Sequence, residues 1–213
     1  MLNLAEELFV LALDEDEGWI VESALDTLRY GLAAALLADL ALRNRILVED
    51  GRLHVRNTEP VGDELLDAAL KRLTDADRSR RVKYWLSALS FRKLPKQVAE
   101  RLVACGVLQR DDRRYVMVTP CAESPEPDAP AKYWIKQGLR SDVLTTAKAE
   151  RHSIVLLSLM QGCRLLNLVF TKDERRKAGK RVKDLVQGED FGEAVAQTLA
   201  DIEAATTQAA SNK

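Results

Sequence analysis

Clustered basic side chains are the residues of this chain best suited to hold a ligand. Residues 71–101 contain ten lysines and arginines against three acids, and residues 172–183 contain seven against two. Residues 1–40 are the reverse, with nine acids and one arginine. The whole chain nevertheless balances at a net charge of −1. Convergent cations attract an anionic bilayer, where each lysine or arginine is worth roughly 1 kcal/mol. Nucleic acid would respond to the same charges, and a solvated pair of helix faces would also produce them. Catalytic patterns do not emerge. The chain has no GxGxxG, P-loop, HExxH or GxSxG. Its two histidines, His54 and His152, read as structural or solvated. The acidic run at 14–17 lacks the glycine and terminal glutamate of a calcium loop and reads as a solvated turn. No enzyme activity, metal or cofactor is expected. Cys105, Cys121 and Cys163 are far apart with no CxxC, which predicts reduced thiols in a cytoplasmic protein rather than a disulfide framework or zinc site.

The elements that must position these charges are mostly helical. The 213 residues are 46% hydrophobic and 31% charged, an ordinary globular balance, and aromatics are only 5%. An aromatic sugar cleft or base-stacking sheet is therefore not expected. The spacing predicts helices over Leu2–Leu13, Trp19–Arg43, Glu64–Leu73, Arg78–Leu89, Lys96–Cys105, Tyr133–Ala149, Ile154–Phe170, Lys172–Val186 and Phe191–Ala205. Tyr30–Ala38 is apolar all round, the mark of a buried central helix. It is also the longest apolar run, far short of the roughly 20 residues a membrane-spanning helix needs. Asp63 suits an N-cap, and Pro95 and Gly106 bracket the Lys96–Cys105 helix. Two hairpins are expected. Asp50-Gly51 supplies the turn of the first, within Ile46–Val55. Val107–Val118 forms the second around a charged tip. Four of the six prolines fall between Thr119 and Ala131, a surface loop or linker. The fold class is thus mostly α: one compact domain over residues 1–205, with a buried central helix, surrounding amphipathic helices, two small hairpins and a frayed tail at 206–213.

The order helix, glycine, strand, charged turn, strand over Lys96–Val118 also matches the end of a winged helix-turn-helix. That reading places Lys96, Gln97, Glu100 and Arg101 toward a nucleic-acid groove and Arg113 and Arg114 on the wing. Glu100 would then face phosphates, so nucleic acid is the lesser expectation.

Five stretches resemble the Golgi phosphoprotein 3 family: Leu4-Ala-Glu-Glu-Leu-Phe-Val-Leu-Ala-Leu13, Leu40-Ala-Leu-Arg-Asn-Arg-Ile46, Gly62-Asp-Glu-Leu-Leu-Asp-Ala-Ala-Leu70, Glu100-Arg-Leu-Val-Ala-Cys-Gly-Val-Leu108 and Lys180-Arg-Val-Lys-Asp-Leu185. Their order and spacing match over about residues 2–205. The resemblance implies a compact helical, non-enzymatic domain that sits peripherally on a membrane from the cytoplasmic side. It implies phosphatidylinositol 4-phosphate, or another anionic lipid headgroup, as ligand, and cytosolic tails of membrane proteins as partners. It also implies that the second hairpin inserts into the membrane or self-associates, through Tyr115, Val116 and Met117. A chain that starts at the domain itself suggests a minimal member, of a kind a bacterium would carry.

The implied headgroup site draws on Trp19, Arg29, Arg92, Lys93 and Lys96. An ungapped alignment puts the family's tryptophan on Ala24 and its first arginine on Ala33, with Trp19 and Arg29 displaced nearby. Of the second basic pair, one position falls on Arg92 and the other on Pro95, beside Lys96. A purely protein-binding adaptor stays open as an alternative.

Overall fold

A computed structural model describes residues 2–14, 16–111, 114–118, 130–145, 149–186, 200–201, 204–208 and 211. The tip of the second hairpin with Arg113, residues 119–129 with Cys121, and most of the expected Phe191–Ala205 helix lie outside these residues.

Two helices make the centre. Helix α1 (Leu4–Ala12) is buried along nearly its whole length, and α2 (Leu28–Leu42) is buried from Gly31 to Ala41. Around them lie helices α3 (Glu64–Thr74), α4 (Val82–Leu89), α5 (Leu94–Ala104), α6 (Ala131–Leu144), α7 (Arg151–Gly162) and α8 (Lys172–Val186). Helix α2 packs against α1, α3, α4, α5 and α7, as a central helix must. Gly31 allows part of this closeness: a Cβ there would lie 2.8 Å from the Cys163 Sγ and 3.0 Å from a Leu8 methyl. Cys163 is fully buried against it, and burial pushes its thiol up to about 12.

The strands form two small antiparallel sheets. Strands β1 (Ile46–Glu49) and β2 (Arg52–Val55) pair across Asp50-Gly51, both at positive φ, as the sequence predicts. A third strand, β3 (Arg80–Arg81), adds to β2. Strands β4 (Leu108–Asp111) and β5 (Arg114–Met117) make the second hairpin.

Several boundaries differ from the sequence reading. The helix expected from Trp19 begins only at Leu28. Gly18 sits at φ +69°, and the chain then runs back along the end of α1: Asp14 N–H donates to the Trp19 carbonyl at 2.7 Å, and Val21 N–H to that of Ala12 at 2.9 Å. Ile20, Val21, Ser23, Asp26 and Thr27 are also poor helix formers. Arg80 and Arg81 are extended rather than helical because they pair with β2. The helix expected to reach Phe170 stops at Gly162, where Arg164 turns left-handed and Leu165 N–H closes back on the Met160 carbonyl at 2.7 Å. Where a frayed tail is expected from Thr206, residues 204–208 are helical and Thr206 is buried.

The start of α1 is buried, so its free N–H groups need acceptors. Asn3 caps Glu6 N–H, and the Glu6 carboxylate returns the bond to Asn3 N–H at 2.9 Å, a capping box. Leu4 N–H donates to Asp39 of α2 at 3.0 Å, and Arg43 holds the other Asp39 oxygen at 3.0 Å. Glu6 is 1% exposed and meets Arg101 Nε of α5 at 2.5 Å. Arg101 also donates to Asp63 at 2.8 Å, and Asp63 caps α3 through Leu65 and Leu66 N–H. Burial pushes the Arg101 guanidinium down, but the bond to Glu6 and the charges of Asp63 and Glu6 outweigh it, so its net shift is upward. On the neighbouring turn His152 of α7 bonds Glu7 at 2.7 Å.

Removing the cation would strand a buried carboxylate. Arg101→Met is expected to cost about 3 kcal/mol or more in chemical denaturation. Adding Glu6→Gln in the same chain should recover part of that loss, since the stranded charge is gone. For His152, burial lowers the imidazole pKa, yet Glu7, Asp39 and Glu150 together raise it above the ordinary value. The protonated form is therefore favoured by folding. Its contribution is complete below about pH 6.5 and disappears as pH rises through the raised value. Denaturation midpoints should fall across that interval, and His152→Gln should remove this slope.

Candidate functional site

The basic segment at 71–101 does not form one patch. Arg101 points into the core network just described. Arg72 stacks on Phe91 at 5.1 Å and Arg80 on Tyr84 at 4.9 Å. Arg92, Lys93 and Lys96 are exposed together at the α4–α5 junction. Lys96 forms an ion pair with Glu100 one turn on, at 3.4 Å. Arg92 and Lys93 have no ion-pair partner among the described residues.

Arg29 lies on the first turn of α2, half-buried, with its guanidinium 5.0 Å from the Tyr30 ring centre. It is on a different segment from the junction cluster, and no hydrogen bond or ion pair among the described residues ties the two together. Trp19 is half-exposed, at 50%, on the extended stretch that follows Gly18.

The Trp19 stretch and the second hairpin are one unit. Tyr115 N–H donates to the Gly18 carbonyl at 3.1 Å, and a Cβ on Gly18 would come within 2.5 Å of the Tyr115 carbonyl oxygen. The turn before it is pinned as well. Glu17 and Asp16 N–H groups bond the Asp14 carboxylate and, with a smaller effect from Lys132, hold it below its usual range. Lys132 of α6, itself buried, donates to the Leu13 carbonyl. The acidic turn is thus a built support for Trp19, with Asp16 and Glu17 facing water.

Strand alternation divides the three hairpin candidates. Tyr115 and Met117 pack toward the core, Tyr115 edge-on to Phe9 at 6.3 Å. Val116 faces out at 44% exposure, and Val118 beyond it is also exposed. Of Tyr115, Val116 and Met117, only Val116 offers an outward apolar side chain. Sequence reasoning did not separate them because strand register decides the face.

The winged-helix geometry fails at Arg101. Its guanidinium is bonded to Glu6 and Asp63, and Val98, Ala99 and Leu102 bury the adjoining face of α5. Arg114 pairs with Asp111 within the hairpin at 3.2 Å.

Glu6, Asp63 and Arg101 come from three of the five stretches singled out in the sequence. The Golgi phosphoprotein 3 (GPP34) family model matches residues 4–202. The chain belongs to the Golgi phosphoprotein 3 family.

This is a family of non-enzymatic adaptors. Ala24 and Ala33, where the resemblance leads one to expect the tryptophan and first arginine of a Golgi phosphoprotein 3 headgroup site, are both fully buried. No side chain at either place reaches the surface. Trp19 and Arg29 are the residues of those types near the start of α2. No helix among the described residues is long and apolar enough to cross a membrane.

Gly18→Ala tests whether loop and hairpin act as one unit. The substituted residue would need both a left-handed backbone and space occupied by the Tyr115 carbonyl. A loss of about 1–3 kcal/mol is expected, with faster hydrogen exchange at the Tyr115 amide as the local readout.

Proposed function

We propose that this protein is a peripheral membrane adaptor that binds anionic lipid headgroups, with phosphatidylinositol 4-phosphate as the ligand implied by its family. The observation that carries this reading is the joined unit of Trp19 and Val116. Two exposed apolar side chains stand on segments that the Gly18–Tyr115 hydrogen bond holds together. An indole suits the lipid interface, with an apolar ring and one polar N–H.

Cations complete the contact. Helix α5 has Arg92, Lys93 and Lys96 at its start and leads into the hairpin at its end. Its 11 residues span about 16 Å. Electrostatic attraction at one end and apolar insertion at the other give the two signals that stable peripheral binding requires. Arg29, held flat on Tyr30, adds a guanidinium suited to a phosphate. Seated this way on the cytoplasmic side, the domain can present its remaining surface to cytosolic tails of membrane proteins or to a second copy of itself.

Co-sedimentation with vesicles tests this. Neutral vesicles, generic anionic vesicles and phosphatidylinositol 4-phosphate vesicles of matched charge should be compared. Arg92→Glu with Lys96→Glu should weaken pelleting by about tenfold or more. Val116→Asp should weaken vesicle binding and leave soluble headgroup binding intact. Wild-type protein that stays in the supernatant with all three vesicles would overturn the lipid reading and favour protein tails as partners.

A further inference from the structure

A second set of cations lines a cleft elsewhere in the fold. This cleft, of about 480 Å³, opens between the three-stranded sheet, the end of α3 and the start of α4. Leu53, Leu73 and Trp85 are the largest apolar residues of its lining. His54, Arg56 and Arg78 also line it, together with Thr58 and Ser79. None of its lining residues is acidic; Asp75 and Asp77, on the same turn as Arg78, are not part of the wall.

Three features distinguish this arrangement from scattered surface charge. First, the side chains of His54, Arg56 and Arg78 have no hydrogen-bond or ion-pair partner among the described residues. Arg101, Arg43 and Arg140, by contrast, are held on Glu6, Asp39 and Glu174, the last through two bonds at 2.6 and 2.9 Å. Second, the walls are fixed. Arg56 and Asn57 N–H both donate to the Arg45 carbonyl, and the Arg52 guanidinium holds the Ser79 carbonyl at 3.1 Å. Third, the cations share one concavity with apolar side chains, and its volume is in the range of small-molecule sites.

We infer that this cleft binds a phosphate ester. Guanidinium forks match phosphate oxygens two at a time, and the imidazole and hydroxyls supply further donors. The organic part of the ester lies on Leu53, Leu73 and Trp85. The site shares no residue with the Trp19, Arg29 and Arg92–Lys96 surface, so it stands or falls separately from the lipid reading above.

Phenyl phosphate is the probe, titrated calorimetrically into the full chain with phenol as the neutral control. The expected result is saturable binding of phenyl phosphate, none of phenol, and a shift of the Trp85 indole N–H resonance on binding. Arg56→Gln with Arg78→Gln should weaken binding by about tenfold or more, at unchanged thermal stability. Arg175→Gln with Arg176→Gln, both exposed on α8, should leave it unaltered. Absence of saturable binding, equal binding of phenol, or equal weakening by both variant pairs would overturn the assignment. Vesicles of phosphatidylcholine with phosphatidic acid identify the natural source of the ester. Loss of pelleting in the Arg56→Gln, Arg78→Gln protein supports a lipid headgroup, and retained pelleting beside lost phenyl phosphate binding supports a soluble ester.

Discussion

A helix that begins inside a protein must find acceptors for N–H groups that have no partner of their own. Helix α1 begins this way. Asn3 and Asp39 meet part of the need, and the capping box brings the Glu6 carboxylate into the interior with them. A buried carboxylate is tolerable only when paired, which places Arg101 opposite it. Arg101 has a second fork to satisfy, and Asp63 takes it. Asp63 in turn caps α3. One requirement at the end of one helix therefore fixes the relative placement of α1, α2, α3 and α5. The three-stranded sheet and the second hairpin hang from helices positioned by that network.

This has a bearing on what family membership means here. Glu6, Asp63 and Arg101 lie in the stretches that make the chain recognisable, and all three work inside the fold. Ala24 and Ala33, the places where the resemblance leads one to expect a headgroup-binding tryptophan and arginine, are buried to zero exposure. The residues that make the chain recognisable are thus different from those proposed to bind. On the outward surface Trp19 follows the Gly18 turn, and exposed cations stand both at the α4–α5 junction and around the sheet-side cleft.

Local signals made much of the fold legible in advance. The Asp63 cap, the Asp50-Gly51 turn, the apolar face of α3 and the continuous apolar run of α2 are all set by residues close together in sequence. Signals that depend on distant partners were not legible. Residues 19–27 have enough apolar spacing to pass for helix, but the end of α1 captures their backbone. Arg80 and Arg81 look like a charged helix start until β2 pairs with them. Arg101 looked free to face a groove because Glu6 lies 95 positions away. Tyr115, Val116 and Met117 formed one apolar group until strand register turned only the middle residue outward. The site suffered more than the fold for this reason, since a binding surface is defined by what remains exposed after all long-range contacts are made.

The contact between Gly31 and Cys163 gives the core a chemical clock. A thiol buried to zero exposure, with burial pushing its ionisation up to about 12, is out of reach of an alkylating reagent while α2 and α7 stay together. Cys105, on the surface, is open to it at all times. Modification of Cys163 therefore counts the moments at which the innermost helices part, and modification of Cys105 in the same molecule supplies the reference for reagent that is always in reach. The spacing that lets two helices approach closely enough to exclude a methyl group also records how rarely they separate.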